Sequence, residues 1–162
     1  MRKFPTLLLS LPLLAGCSAA PAATELGADC QGVSVFVNFS GQAQNIAKCV
    51  TLAGDSEITK TILEAASVVT EGTVTYGDQV VCRVNNVPSA DVPLEVEGND
   101  PYLETCQDMP PEFAYWALWV KKSGSSEWEY ATEGVGSLQL SPGDSVGLAF
   151  SLAGQTPTPE GK

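Results

Sequence analysis

The chain of 162 residues carries 19 carboxylates against 8 cations, a formal charge of −11, and contains no histidine. The acidic balance excludes nucleic acid and heparin-like polyanions as partners, because like charge repels them. The missing imidazole removes the customary ligand or base of zinc, haem, Ser-His and Cys-His chemistry, so no metal site and no catalytic residue is predicted and the chain is read as a non-enzyme.

In chain order, residues 1–16 read as a lipoprotein signal peptide. Arg2 and Lys3 precede an apolar run at residues 7–14, long enough for a signal core and too short to span a bilayer. The run ends in Leu14-Ala15-Gly16-Cys17, small residues that admit a signal peptidase before a cysteine. Cys17 is thereby the predicted lipidation site, its acyl chains anchoring the protein to the extracytoplasmic face of the cell membrane. Cleavage there removes Arg2 and Lys3, leaving six cations against nineteen carboxylates over 146 residues, a formal charge of −13. That length suits one domain. Acyl chains, rather than attraction to anionic lipid, are expected to hold it.

Residues 17–29, mostly Ala, Pro and small polar residues, are predicted to form a tether reaching at most ~40 Å. A domain is expected over residues 30–152. Val33, Val35 and Val37 alternate with Ser34, Phe36 and Asn38, the signature of a half-buried strand, and residues 49–52 form a second. After Gly54-Asp55-Ser56 the period changes. Ile58, Ile62, Leu63, Ala65, Ala66 and Val69 share one helical face, with Asp55 or Ser56 as the N-cap. Strands resume at residues 73–76, 79–85, 114–122, 127–132 and 137–140. The turn Pro142-Gly143-Asp144 leads to the last strand at 146–150, and residues 153–162 form a flexible tail. The predicted fold class is α+β: a small, mostly antiparallel sheet with one packed helix, bonded by disulfides.

With Cys17 lipidated, an even set remains: Cys30, Cys49, Cys82 and Cys106. In an oxidising compartment these give two disulfides. The irregular stretch 88–111 contains Cys106, and a loop of that length is usually functional or covalently pinned. A Cys82–Cys106 bond would pin it, leaving Cys30–Cys49. If the first two strands form a simple hairpin turning near residue 43, however, Cys49 lies opposite residue 37 and Cys30 is far outside bridging distance. Either those strands are not that hairpin, or the pairing differs.

All three tryptophans and two of the four tyrosines fall within residues 115–130. On a strand, Trp116, Leu118 and Val120 share one face and Tyr115, Ala117 and Trp119 the other. If residues 123–126 form the loop, Trp119 sits opposite Tyr130 and Lys121 opposite Trp128. Tyr115, Trp119, Trp128 and Tyr130 are therefore the candidate ligand-binding residues, an aromatic platform suited to stacking on a sugar ring or a large planar cofactor, or to burial against another protein. The competing reading packs both faces, one under the helix and one under the 88–111 loop. Glu127 and Glu129, a same-face carboxylate pair, read as solvated rather than catalytic.

The ordered set Cys49-Val50-Thr51-Leu52-Ala53-Gly54-Asp55, Thr61-Ile62-Leu63-Glu64-Ala65-Ala66, Val81-Cys82-Arg83-Val84-Asn85-Asn86-Val87-Pro88, Cys106, Pro110-Pro111, Ala114-Tyr115-Trp116 and Pro142-Gly143-Asp144 resembles the transcobalamin-like C-terminal domain, especially versions on actinobacterial surface proteins. The resemblance spans residues 30–152. In transcobalamin and intrinsic factor the related lobe closes over cobalamin held by an α/α barrel, which is missing here. The chain also departs from the actinobacterial pattern at Val120, where a histidine is frequent, and at Leu148, where a tryptophan is frequent. The resemblance implies a membrane-anchored binding domain with a corrinoid, cobalamin, as candidate ligand and a vitamin transporter as candidate partner. The alternative is a structural or protein-interaction module of a cell-envelope assembly with no small-molecule ligand.

Overall fold

A computed structural model describes residues 20–27 and 29–160; the predicted signal and Cys17 lie outside them. Alternating valines place β2 (Val33–Asn38) beside β3 (Ile46–Thr51) in the register Val33↔Val50 and Val37↔Ile46. β10 (Ser145–Leu152), buried over nearly its whole length, runs parallel to β2 and antiparallel to β7 (Ala114–Lys121). With the short strands β1 (Ala22–Glu25) and β8 (Glu129–Tyr130) at its edges, the sheet has the order β1-β3-β2-β10-β7-β8. The predicted α+β class, a largely antiparallel sheet with one short helix and two disulfides, is what the chain forms.

One face of this sheet is core. Val35, Val37, Val146, Leu148, Phe150 and Trp116 project from it onto Ile62, Leu63, Val68, Val84 and Leu140. These partners come from α1 (Thr59–Ala65) and the link that follows it, β6 (Gly77–Val84) and the segment around β9 (Gln139–Leu140). β6 pairs with β5 (Thr70–Thr73), and β9 with β4 (Glu57–Ile58), in two small ladders beside the main sheet.

The helix is shorter than its apolar spacing predicts. Ile58 and Val69 are exposed, and neither Asp55 nor Ser56 caps it: the N-cap is Ile58, without a side-chain bond. The first turn is satisfied from outside, the Thr59 and Lys60 N–H groups donating to the Leu138 and Val135 carbonyls. The last turn ends in a Schellman arrangement, with Ser67 at φ 62° and bonds from Val68 N–H to Leu63 O and from Ser67 N–H to Glu64 O. Val68 is thereby turned into the core. Of the strand predicted at residues 73–76, only Thr73 is in a strand, as the last residue of β5; residues 74–76 are the turn joining β5 to β6.

Both disulfides are present, Cys30–Cys49 with Cα atoms 5.6 Å apart and Cys82–Cys106 at 5.4 Å. They place the chain in an oxidising, extracytoplasmic setting. Among the described residues no helix is long and apolar enough to cross a membrane. The geometric objection to Cys30–Cys49 resolves in two ways. Cys49 lies opposite Ser34, not residue 37, so the hairpin turns earlier. In addition, part of the predicted tether is β1, an edge strand in which Thr24 pairs with Cys49. The link from β1 to β2 must then cross β3, and it does so through Gly32, where a Cβ would lie 2.0 Å from the Val50 carbonyl oxygen.

The predicted tail also packs, across the second face of the sheet. Asn38 donates to the Thr158 carbonyl (3.0 Å), Lys121 pairs with Glu160, and Pro159 lies where a Cβ on Gly147 would be. These contacts use prolines, main-chain acceptors and one ion pair, so they leave no apolar periodicity to read.

Asp144 ties the β7–β8 loop to the turn before β10. Its carboxylate accepts the N–H groups of Ser123 (2.9 Å) and Ser141 (3.1 Å) and the Lys122 ammonium (3.0 Å). Burial by itself would raise this carboxyl, but those three donors outweigh it and hold it below the ordinary carboxylate range. A depressed pKa adds stability above the unfolded value of about 3.9, lost as the pH falls through the folded value. Asp144→Asn is therefore expected to cost about 1–3 kcal/mol in urea melts at pH 7, with the difference from wild type shrinking at pH 3.

Candidate functional site

The aromatic block forms β7 and β8 in the register its loop length predicts, Trp119↔Tyr130. The two rings stack with centroids 3.9 Å apart and planes at 24°. Tyr115, four residues before Trp119 on the same face, has its hydroxyl 3.1 Å from that of Thr156. This bond, opposed by burial and helped by Ser151 and Tyr130, holds the Tyr115 phenol below its usual range. Tyr115, Trp119 and Tyr130 thus form one cluster.

Trp128 is separate. It meets Phe36 edge-on at 5.8 Å, lies beneath the Lys121 ammonium at 4.9 Å and approaches Gly147 beside Pro159. The four candidate residues therefore do not present one flat platform. The Trp119 and Trp128 indole N–H groups are enclosed without an acceptor among the described residues, and of the four rings only Tyr130, 54 % accessible, is exposed. What covers this face is the 155–160 segment and the rings themselves, not the 88–111 loop. Glu127 and Glu129 are exposed at the outer edge of the sheet.

Beside Tyr130 the structure opens into a cleft of about 420 Å³, within the size range of small-molecule sites. Its floor is β7 from Tyr115 to Leu118; one wall is residues 131–135, the other Gln79, Val80 and Val81 of β6, with Met109 and Pro110 at the rim. The opening exists because β8 pairs with β7 for only two residues. After the bond from Ala131 N–H to Leu118 O (2.9 Å) the chain leaves β7 and packs on β6, where a Cβ on Gly134 would sit 2.3 Å from Gln79 Cα. Of the four candidate residues the cleft takes in Tyr115 and Tyr130; Met109, Gln79 and Glu133 are additions. None of the three is marked in the sequence; Met109 is one of several apolar residues in the acidic, proline-rich 88–111 loop.

The 88–111 loop that supplies this rim is fastened by Arg83. Its guanidinium donates to the Pro88 carbonyl (2.8 Å), the Glu104 carbonyl (2.8 Å) and Cys106 Sγ (3.2 Å), and pairs with Glu71. Glu104, itself buried, accepts the Cys106 N–H (2.6 Å) and the Tyr102 hydroxyl (2.8 Å). Burial first, and the Glu104 carboxylate second, push the Tyr102 phenol well above its usual range. Glu71, Cys82 and Cys106 come within ligand-sharing distance of one another, but the sulfur atoms are spent in the disulfide and Glu71 on Arg83. This cluster is structural.

The chain matches no protein-family model, no curated protein and no solved structure.

Proposed function

We propose that this protein is a membrane-anchored, extracytoplasmic binding domain without catalytic activity, and that its ligand enters the cleft between β6 and β7. The observation that carries the reading is the pairing of that cleft with exposed apolar groups at its mouth, Tyr130 at 54 % and Met109 at 58 % accessible. Soluble domains rarely leave large apolar groups at the rim of a concavity unless something covers them. The disulfides support the extracytoplasmic setting, and the Leu14-Ala15-Gly16-Cys17 motif supports a lipid anchor.

The resemblance to transcobalamin-like domains makes cobalamin the first ligand to test, with Tyr130 as the ring that would meet the edge of the corrin. Equilibrium dialysis of the full chain against cobalamin tests it. Saturable binding that weakens about tenfold in Tyr130→Ala supports the corrinoid, since an aromatic contact with its buried area is worth roughly 1 kcal/mol or more. Absence of binding up to millimolar cobalamin removes the corrinoid. The alternative, an interaction module of a cell-envelope assembly, is favoured by one observation: the cleft is floored by an open sheet edge.

A further inference from the structure

We infer that the occupant of the cleft is an extended peptide, added as a short strand to the open edge of β7 and carrying basic side chains. This rests on the cleft being the binding site, takes up the interaction-module alternative in place of the corrinoid, and names the class of partner that fills it.

Successive residues of a strand turn their main-chain groups to opposite edges. The Leu118 carbonyl accepts the Ala131 N–H, so the N–H and C=O of Trp116 lie on that same outer edge. By then the chain after β8 has turned away to β6, and among the described residues no strand pairs with β7 there. The N–H of Leu118 and both main-chain groups of Trp116 therefore face the cleft. An open edge of this kind is a template for a strand from another chain, whose alternate side chains would then meet the walls. Met109 and Tyr130 stand where such side chains would pack.

Charge decides the kind of peptide. All five lysines and arginines among the described residues are already ion-paired: Lys48, Lys60, Arg83, Lys121 and Lys122. Among the described residues no cation lines the cleft, whereas Glu133 does. Asp108 and Glu129, exposed, adjoin the lining residues Met109 and Tyr130 in sequence. A basic peptide meets complementary charge here and an acidic one meets repulsion.

Panning phage-displayed random heptapeptides on the immobilised full chain tests the inference. The expected winners are poor in proline, rich in Lys or Arg, and alternate apolar with polar residues. In a synthetic copy, N-methylation at one alternate set of positions is expected to weaken binding by about tenfold or more, while the other set is tolerated. Glu133→Lys, at an exposed position that leaves the fold intact, is expected to weaken it by about threefold to tenfold. Winners without basic residues, or insensitivity to which set is methylated, overturn the inference. So does failure to enrich any peptide. In that case cobalamin separates the two failures: if it shifts the Trp116 and Leu118 amides, the cleft stands and the peptide falls; if it does not, both fall.

Discussion

Replacing Arg83 by methionine is expected to destabilise the protein by about 3–5 kcal/mol, a large part of the total stability of a domain this size. The ion pair with Glu71 is a minor part of that loss, because the Glu71 side chain is 54 % accessible and water can take its place. The larger part comes from the Pro88 and Glu104 carbonyls, both in buried residues, which would lose their donors with nothing to replace them. Each such loss costs roughly 1–3 kcal/mol. Glu71→Gln is accordingly expected to cost under about 1 kcal/mol. Chemical denaturation of the two variants checks this ordering. Equal effects would mean that the network is held by the ion pair, not by the guanidinium as a clasp between the two ends of the loop.

The second large effect is at Trp116. Its ring lies 5.3 Å from Phe39 and 5.1 Å from Phe150, and its indole N–H donates to the Val87 carbonyl at 3.0 Å. Truncation to alanine opens a cavity in the core and is expected to cost about 3–5 kcal/mol. Trp119→Ala is expected to cost no more than about half as much. Trp119 is only partly buried, and its enclosed N–H, which has no acceptor among the described residues, is a penalty that truncation removes. Thermal melts of both variants decide the matter without any ligand. If the two fall together, the second face of the sheet is core in the same sense as the first.

The parts of the fold legible in the sequence are those written in side-chain period. Val33, Val35 and Val37 mark β2, and the block from Ala114 to Lys121 marks β7. The register expected from a 123–126 loop, Trp119 against Tyr130, forms, although the strands are joined by the longer connection 122–128 and the expected Lys121–Trp128 pair is not part of the ladder. What escaped is held by the main chain or by distant partners. β1 is AATE, wholly exposed, and joins the sheet through backbone pairing. The helix stops at Ala65 because Ser67 adopts the left-handed conformation that a glycine would have advertised. Arg83 left a readable sign, a single charge inside the apolar run Val80-Val81-Cys82-Arg83-Val84, and such a charge has to find partners.

The candidate site was half legible for the same reason. Clustering identified Tyr115 and Tyr130, but the cleft between them exists only because β8 is two residues long and the next segment crosses to β6. No local pattern encodes a strand that ends early.

Mapping of backbone amide shifts in the full chain, titrated with cobalamin and with the panned peptide, tests the binding cleft most directly. The expected result is saturable binding of at least one of the two, with shifts gathered on residues 79–81, 115–118 and 130–135 and the β1–β3 end of the sheet unmoved. Saturable binding that shifts the β1–β3 end or the 155–160 segment and leaves residues 115–118 in place would contradict it.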